Sequence, residues 1–491
     1  MNSQKLRQEF LKFFEKKGHK VTPSSSLLPT DPSVLLTTAG MQQFKPYYIG
    51  TADPLTSPHP ALGGKPLGSK NAVSIQKSFR TSDIEEVGDK CHLTFFEMMG
   101  NFSFGGYFKE EAIKYGYELI KNVFKLKIDY VTVFDPAKVP QGDWRKEGVP
   151  FDSESYEFWK KIGMPEDKIR REGVDNFWGP TGDEGPCGPT TEIYVNGMEI
   201  WNIVFNQFYC DKDKKLTLLK IQGVDTGMGF ERLAIMSQKK TTVYETDLFG
   251  PIIREIEKNS SKSYSEDKKS FRIIADHIRG AVFLASDGIL PSNVERGYIL
   301  RRIIRRAIRF GKLLNLPKNF IIPLAKVVVK TYKDAYPELH SRETDILTIL
   351  QNEEEKFEKT LEIGLNETIS ILSKGNISGE EAFHIYETYG FPLELIEELA
   401  TEKGKEVDRS AFAKAFEKHQ ELSRTSAAGM FKGGLADTGE KTVKYHTANH
   451  LLLAALRQIL GPEIYQKGSN ITAERLRFDF NFPQKLNEEQ I

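Results

Sequence analysis

Hydrophobic positions along this chain mix runs of period two with shorter helical runs before about residue 250 and follow long helical patterns after it. The first part therefore predicts strands interspersed with helices, and the second helices with few strands. Val73, Ile75 and Phe79, with Lys77 among them, alternate with Ser74, Gln76, Ser78 and Arg80. A polar loop holding Asp83, Glu85, Glu86, Gly88 and Asp89 follows, and a second run spans 92–99. Strand, loop, strand is the local expectation. EIWNIVFNQFYC alternates too, with Trp201, Ile203 and Phe205 on one face and Asn202, Val204 and Asn206 on the other. VDTGMGFERLAIM predicts a strand end, a glycine-spaced turn and a helix start. Shorter patterns predict an amphipathic N-terminal helix, a strand-like run 34–36, loop over 51–70, a helix and then a strand within 109–139, and a helix over 152–163. DNFWGPTGDEGPCGPTTEIYV is so dense in Gly and Pro that irregular backbone, close to a ligand, is expected.

In the second part, residues 299–314 sort most clearly. On a helix, Arg301, Arg302, Arg305, Arg306, Arg309 and Lys312 fall within an arc of about 140°, opposite Leu300, Ile303, Ile304, Ala307, Ile308 and Phe310. A charged face is commonly a solvated face, but arginines crowded without interleaved glutamate repel one another, and an RNA backbone would relieve that. Residues 342–373 predict a long polar helix whose acidic centre faces solvent. Two helices broken at Gly390 and Pro392 follow, then a flexible linker by its Gly, Ser and Ala content. KYHTANHLLLAALRQILG is a helix with His446 and His450 one turn apart. Two such histidines can share a metal or be purely structural.

Composition narrows the class. With 491 residues and 39% hydrophobic, the chain can build several cored domains. Lys plus Arg and Asp plus Glu are equal at 68 each, so a nucleic-acid surface has to come from local clustering. Cys91, Cys187 and Cys210 lie far apart without CxxC spacing, which argues for a reducing compartment. No targeting segment or bilayer-spanning run is evident, so a cytosolic protein is expected.

An arginine ending one strand beside aromatics on the next suits a nucleotide, the guanidinium forking onto phosphate and a phenylalanine stacking on a base. Arg80, the acidic loop and His92 followed by Phe96 resemble motif 2 of the class II aminoacyl-tRNA synthetases, and HLTFFEMMGNFSFGGYF is close to the signature of the alanyl-tRNA synthetase family. TAGMQQFKPYYIG resembles motif 1, VDTGMGFERLAIM motif 3, and the GPCGP loop carries Thr190 where a second Cys often sits. Two departures lie at the nucleotide rim: the loop after Arg80 is short, and Cys91 stands where an Arg is often found.

The resemblance implies an α+β fold: a catalytic domain on an antiparallel sheet over 1–250, an all-helical tRNA-recognition domain over 251–423, a linker over 424–440 and a partial α+β editing domain over 441–491. It implies an alanine–tRNA ligase that uses ATP and Mg²⁺ to form alanyl-adenylate and then charges tRNA-Ala. Arg80, Asp225 and Arg232 would be catalytic. Arg80, His92, Phe96 and Arg232 would bind ATP, and Trp178, Asn202 and Asp225 alanine. Arg302, Arg305 and Arg306 would contact RNA, while Asn293 and Glu394, usually Asp, would flank the G·U pair of the acceptor stem. His446 and His450 match two zinc ligands of the editing domain; the later Cys and His that complete the set are not in the sequence, so incomplete editing is expected. Three rival readings are an RNA-binding module without catalysis, a stand-alone deacylase and a ligase for a non-tRNA acceptor. Arg80, Asp225 and Arg232 together, the incomplete metal set, and the arginine helix with Asn293 speak against each in turn.

Overall fold

The computed structural model describes residues 1–29, 34–180, 182–430, 440–462, 464–471, 475–482, 486–487 and 490. The first compact unit, 1–362, is built on one large sheet. Its strands are β1 (Lys20–Val21), β2 (Asn71–Phe79), β3 (Phe95–Phe104), β4 (Tyr130–Phe134), β5 (Ile169–Glu172), β6 (Phe177–Trp178), β7 (Gly185–Val195), β8 (Met198–Cys210) and β9 (Leu216–Gly229). The order is β1-β2-β3-β9-β8-β7-β4-β5, with β6 paired to β7. From β2 to β4 every pairing is antiparallel; only β1–β2 and β4–β5 are parallel. The antiparallel class II-type α+β architecture is the one expected.

Alternation decides which face does what. Trp201, Ile203 and Phe205 on β8 are buried on one side, where Phe10 and Phe14 of the helix Ser3–Lys16 meet Trp201 edge-on. Asn202 and Val204 point to the other side, which becomes a cleft. The helix Lys268–Ser286 is buried along nearly its whole length, and its Phe283 stacks on Phe95 of β3 at 3.9 Å. That packing places the start of the helical part and the sheet within one compact unit, whose limit falls at Glu362.

Several local expectations change. The second strand of the pair begins at Phe95, not at residue 92, because Asp89 accepts from the amides of Cys91 and His92 and holds them in the loop. Residues 34–36 form no strand. The Gly/Pro-rich segment is strand from Gly185 onward. Its glycine serves close strand approach: a Cβ on Gly188 would lie 1.8 Å from the Phe205 carbonyl oxygen. The acidic centre of the helix Glu343–Lys374 is buried at Glu353 and Glu354, not solvated.

The second unit, 363–491, contains the helices Gly379–Tyr389 and Leu393–Glu402, separated at Gly390 and Pro392. Gly390 has φ 71° and closes the first of them, a left-handed cap that glycine adopts without cost. The helix Arg409–Met430 runs into the stretch expected as linker; 431–439 lie outside the described residues. A helix Glu440–Leu460 and the hairpin Gln466–Ile471 and Leu476–Phe480 complete the unit.

Candidate active site

The open face of the sheet carries a cleft of about 320 Å³. Its floor follows the period of two across adjacent strands. Glu192 on β7 pairs with Asn202 on β8, which pairs with Gly227 on β9; one step along, Val204 pairs with Asp225, and Gly229 pairs with Met98 of β3. Gly227 leaves the floor open between the longer side chains. Arg80 and His92 flank the loop at one rim, Phe96 lines it from β3, Trp178 from β6, and Arg232 from the first turn of the helix Phe230–Gln238. Arg80, His92, Phe96, Trp178, Asn202, Asp225 and Arg232, far apart in sequence, therefore share one cavity.

Charge is arranged unevenly within it. Asp225 is buried, accepts no hydrogen bond from any described residue, and is pushed up to about 7 by burial alone. An unpartnered buried carboxylate costs stability unless a ligand cation meets it. Arg232 is committed to Glu199, through Nη1 to the carboxylate at 2.8 Å and to the backbone carbonyl at 2.9 Å. The Arg80 guanidinium lies 4.9 Å from the Phe96 ring centroid. His92 Nδ1 is 2.7 Å from Asp89 Oδ2.

Glu192 and Glu199 are functional candidates that the sequence reading missed. Burial first, and then Glu199, push Glu192 up to about 7, opposed by hydrogen bonds from Tyr194 and Thr132. Asn202 Nδ2 donates to Glu192 Oε1 at 3.2 Å, so its amide oxygen, buried and unpartnered, is the free end. The signal available was an acid inside each of two strand runs; Glu192 lies on the parity of the floor, whereas Glu199 does not and reaches the cleft past the irregularity in the β7–β8 register between Ile193 and Tyr194. Both carboxylates are hard oxygen donors suited to a divalent cation. A separate group at the rim, Asp89, Cys91 and His92, brings three donor atoms within 4.8 Å of one another; among the described residues no other group of three metal-ligating side chains forms.

The arginine face is the main correction. Arg305 and Arg306 are buried, and their charges are met inside the protein, so they do not form an open stripe for RNA. Arg305 reaches Glu353 through Nε at 2.7 Å and Nη2 at 2.6 Å, while Arg306 Nη1 donates to the Ile84 carbonyl at 2.7 Å. Arg302, half-buried, pairs with Glu85 of the loop. Asn293 is exposed just before the helix Glu295–Leu313, with Arg301 on its amide oxygen. Glu394 lies half-buried in the first turn of its helix in the second unit. His446 and His450 approach to 3.3 Å between Nε2 atoms, but no third ligand joins them among the described residues, so they do not complete a zinc site.

Comparison with known proteins bears on all of this. The family model "tRNA synthetases class II (A)" matches residues 5–457. An "Alanine--tRNA ligase" of Borrelia hermsii is 45% identical over all of this chain and 84% of its own length. The protein of that name from Treponema pallidum is 44% identical over all of this chain and 83% of its own, and that of Treponema denticola 45% over 98% and 83%. Among solved structures, an aspartyl tRNA synthetase from Entamoeba histolytica matches half of the chain and 56% of its own at 12% identity with a TM-score of 0.30, too slight a likeness to support an argument.

Proposed function

We infer the working of the cleft from the premise that this chain belongs to the alanine–tRNA ligase family of class II tRNA synthetases and is an ATP-dependent ligase joining alanine to tRNA. The observation that carries the residue roles is Asp225: a buried carboxylate with no partner cation among the described residues, sharing a cavity with two arginines. Alanine's ammonium is the missing cation. Asn202 offers its free amide oxygen to the same group, held in that orientation by Glu192. Val204 and Trp178 bound the space left for a methyl group.

With the ammonium at Asp225, the alanine carboxylate attacks the α-phosphorus of ATP and pyrophosphate leaves. Arg80 takes up the charge developing on the α-phosphate, moving off Phe96 and freeing that ring to stack on adenine. His92 sits at the nucleotide rim. Arg232, held by Glu199, faces the leaving pyrophosphate. Glu199 and Glu192 would hold the divalent cation, Mg²⁺ on this reading, which supplies charge neutralisation at the phosphates. Little covalent help is required, because orientation and fixed charge supply the acceleration. The ribose hydroxyl of the tRNA terminus then attacks the activated carbonyl and AMP leaves. Asn293 is assigned to the acceptor stem of tRNA-Ala, where its amide oxygen can accept from a wobble guanine's amine, and Glu394 is assigned by itself to contact with the same RNA. The reaction belongs to the cytoplasm, and no helix among the described residues is long and apolar enough to cross a membrane.

Binding of a non-hydrolysable alanyl-adenylate analogue tests these roles. Calorimetry should show affinity reduced at least about 30-fold in Asp225→Asn and in Arg80→Lys, as expected for one lost charge-assisted contact. Unchanged affinity in both variants would remove the cleft as the adenylate site.

A further inference from the structure

The loop 81–94 carries His92 at the nucleotide rim and joins Arg80 to β3, yet it contains no strand or α-helix of its own. Loops of this length and polarity are ordinarily mobile. Here side chains from two helices meet its backbone at several points. Arg272 Nη1 donates to the carbonyls of Asp89 at 2.8 Å and Gly88 at 3.2 Å. Arg306 Nη1 donates to the carbonyl of Ile84, and Arg302 pairs with Glu85. At the far end Thr94 gives its amide to Asp276 Oδ1 at 3.0 Å and its hydroxyl to Oδ2 at 2.7 Å, and its own carbonyl accepts from the Arg80 amide at 2.9 Å.

His277 ties these contacts together. Arginine has no acceptor, so His277 Nε2, 3.0 Å from Arg306 Nη1, must accept. The ring proton is thereby fixed on Nδ1, where it donates to Asp276 Oδ2 at 2.9 Å. Thr94, Asp276 and His277 are fully buried, Arg272 and Arg306 nearly so. The hydrogen bonds therefore run unbroken from Arg306 through His277, Asp276 and Thr94 to the backbone of Arg80.

We infer that Arg272, Asp276, His277, Arg306 and Thr94 are positioning residues for the ATP site, setting the loop that presents Arg80 and His92 to the nucleotide. This assigns Arg306 a task that needs no tRNA. It rests on the reading of Arg80 as a nucleotide ligand and adds to it residues that touch neither substrate. Two helices supply the fixed points, Lys268–Ser286 and Glu295–Leu313, and the loop follows them because its carbonyls have these guanidiniums as partners.

The test is pyrophosphate exchange without tRNA, measured on Thr94→Val, Thr94→Ser and Arg306→Lys beside Arg80→Lys. Valine keeps the shape of threonine and removes the hydroxyl; serine keeps the hydroxyl. Thr94→Val and Arg306→Lys should raise the KM for ATP about tenfold, as one lost hydrogen bond to a charged partner does, with the KM for alanine within about twofold of the original. Thr94→Ser should retain the original KM for ATP. An unchanged KM for ATP in Thr94→Val and Arg306→Lys, with Arg80→Lys defective, overturns the proposal while leaving the site reading intact. Equal rises in both KM values with a lowered melting temperature would make the residues purely structural and overturn it as well. Normal exchange by Arg80→Lys would remove the site reading and this proposal together.

Discussion

Replacing Asp225 by Asn separates binding from folding in a way few substitutions would. Burial raises this carboxyl from 3.8 to about 7, and no described residue compensates its charge. Alanine's ammonium binds the anion, so the KM for alanine should be about tenfold higher at pH 6, where most of the carboxyl is protonated, than at pH 8, where most of it is charged. In Asp225→Asn that slope should vanish and the KM at pH 8 should rise about 30-fold or more. Stability should move the opposite way. A folded-state pKa above the unfolded value means that the folded chain holds its proton more tightly, so this carboxyl costs nothing below about pH 4 and most above about pH 7. At pH 8 the Asn variant should therefore be more stable, by at most about 4 kcal/mol, the free energy of moving a pKa from 3.8 to about 7. Near pH 4 the two chains should unfold alike. Glu192, also raised to about 7, titrates in the same window, so Glu192→Gln is the control and should keep the Asp225-dependent slope. Pyrophosphate exchange at saturating ATP gives the KM values and urea unfolding the stabilities. An alanine KM that stays flat from pH 6 to 8 in the wild-type chain, or an Asn variant with the original KM, would refute the reasoning.

Other substitutions probe separate parts. Arg305→Ala should cost about 3 kcal/mol in urea unfolding, because Glu353 loses its closest partner in a buried setting; a loss of tRNA affinity with unchanged stability would return Arg305 to the RNA surface. Gly188→Ala should lower the melting temperature and alter the β7–β8 pairing, since its Cβ cannot share space with the Phe205 carbonyl; a wild-type melting curve would contradict that. Asn293→Ala should reduce the preference for G·U over G·C acceptor stems in aminoacylation, and equal discrimination by both chains would remove Asn293 from recognition.

The cleft was legible because its floor obeys a local rule. Alternation along β8 placed Asn202 and Val204 opposite Trp201 and Ile203, and the sheet preserved that division. The arginine helix and the acidic helix obeyed an equally clear local rule and were read as an RNA-facing stripe and a solvated face. Each stripe answers the other: Glu353 lies between Arg301 and Arg305, 48 residues from the latter, and neither stripe alone reveals that pairing. Buried charge is also why Arg272, Asp276, His277 and Arg279 escaped notice, since polar residues inside a helix ordinarily mark its outer side. Gly185–Val195 failed for another reason. Glycine and proline density signals a turn unless a neighbouring strand demands the space of a side chain, and that demand is set by β8.

ATP–pyrophosphate exchange, run without tRNA across the proteinogenic amino acids, bears most directly on alanine activation at this cleft. L-Alanine should drive exchange far faster than any other amino acid, with serine and glycine following weakly because one hydroxyl or one methyl separates them from it. Faster exchange with a larger or charged amino acid, or alanine-dependent exchange that survives in Asp225→Asn and Arg80→Lys alike, would contradict the assignment.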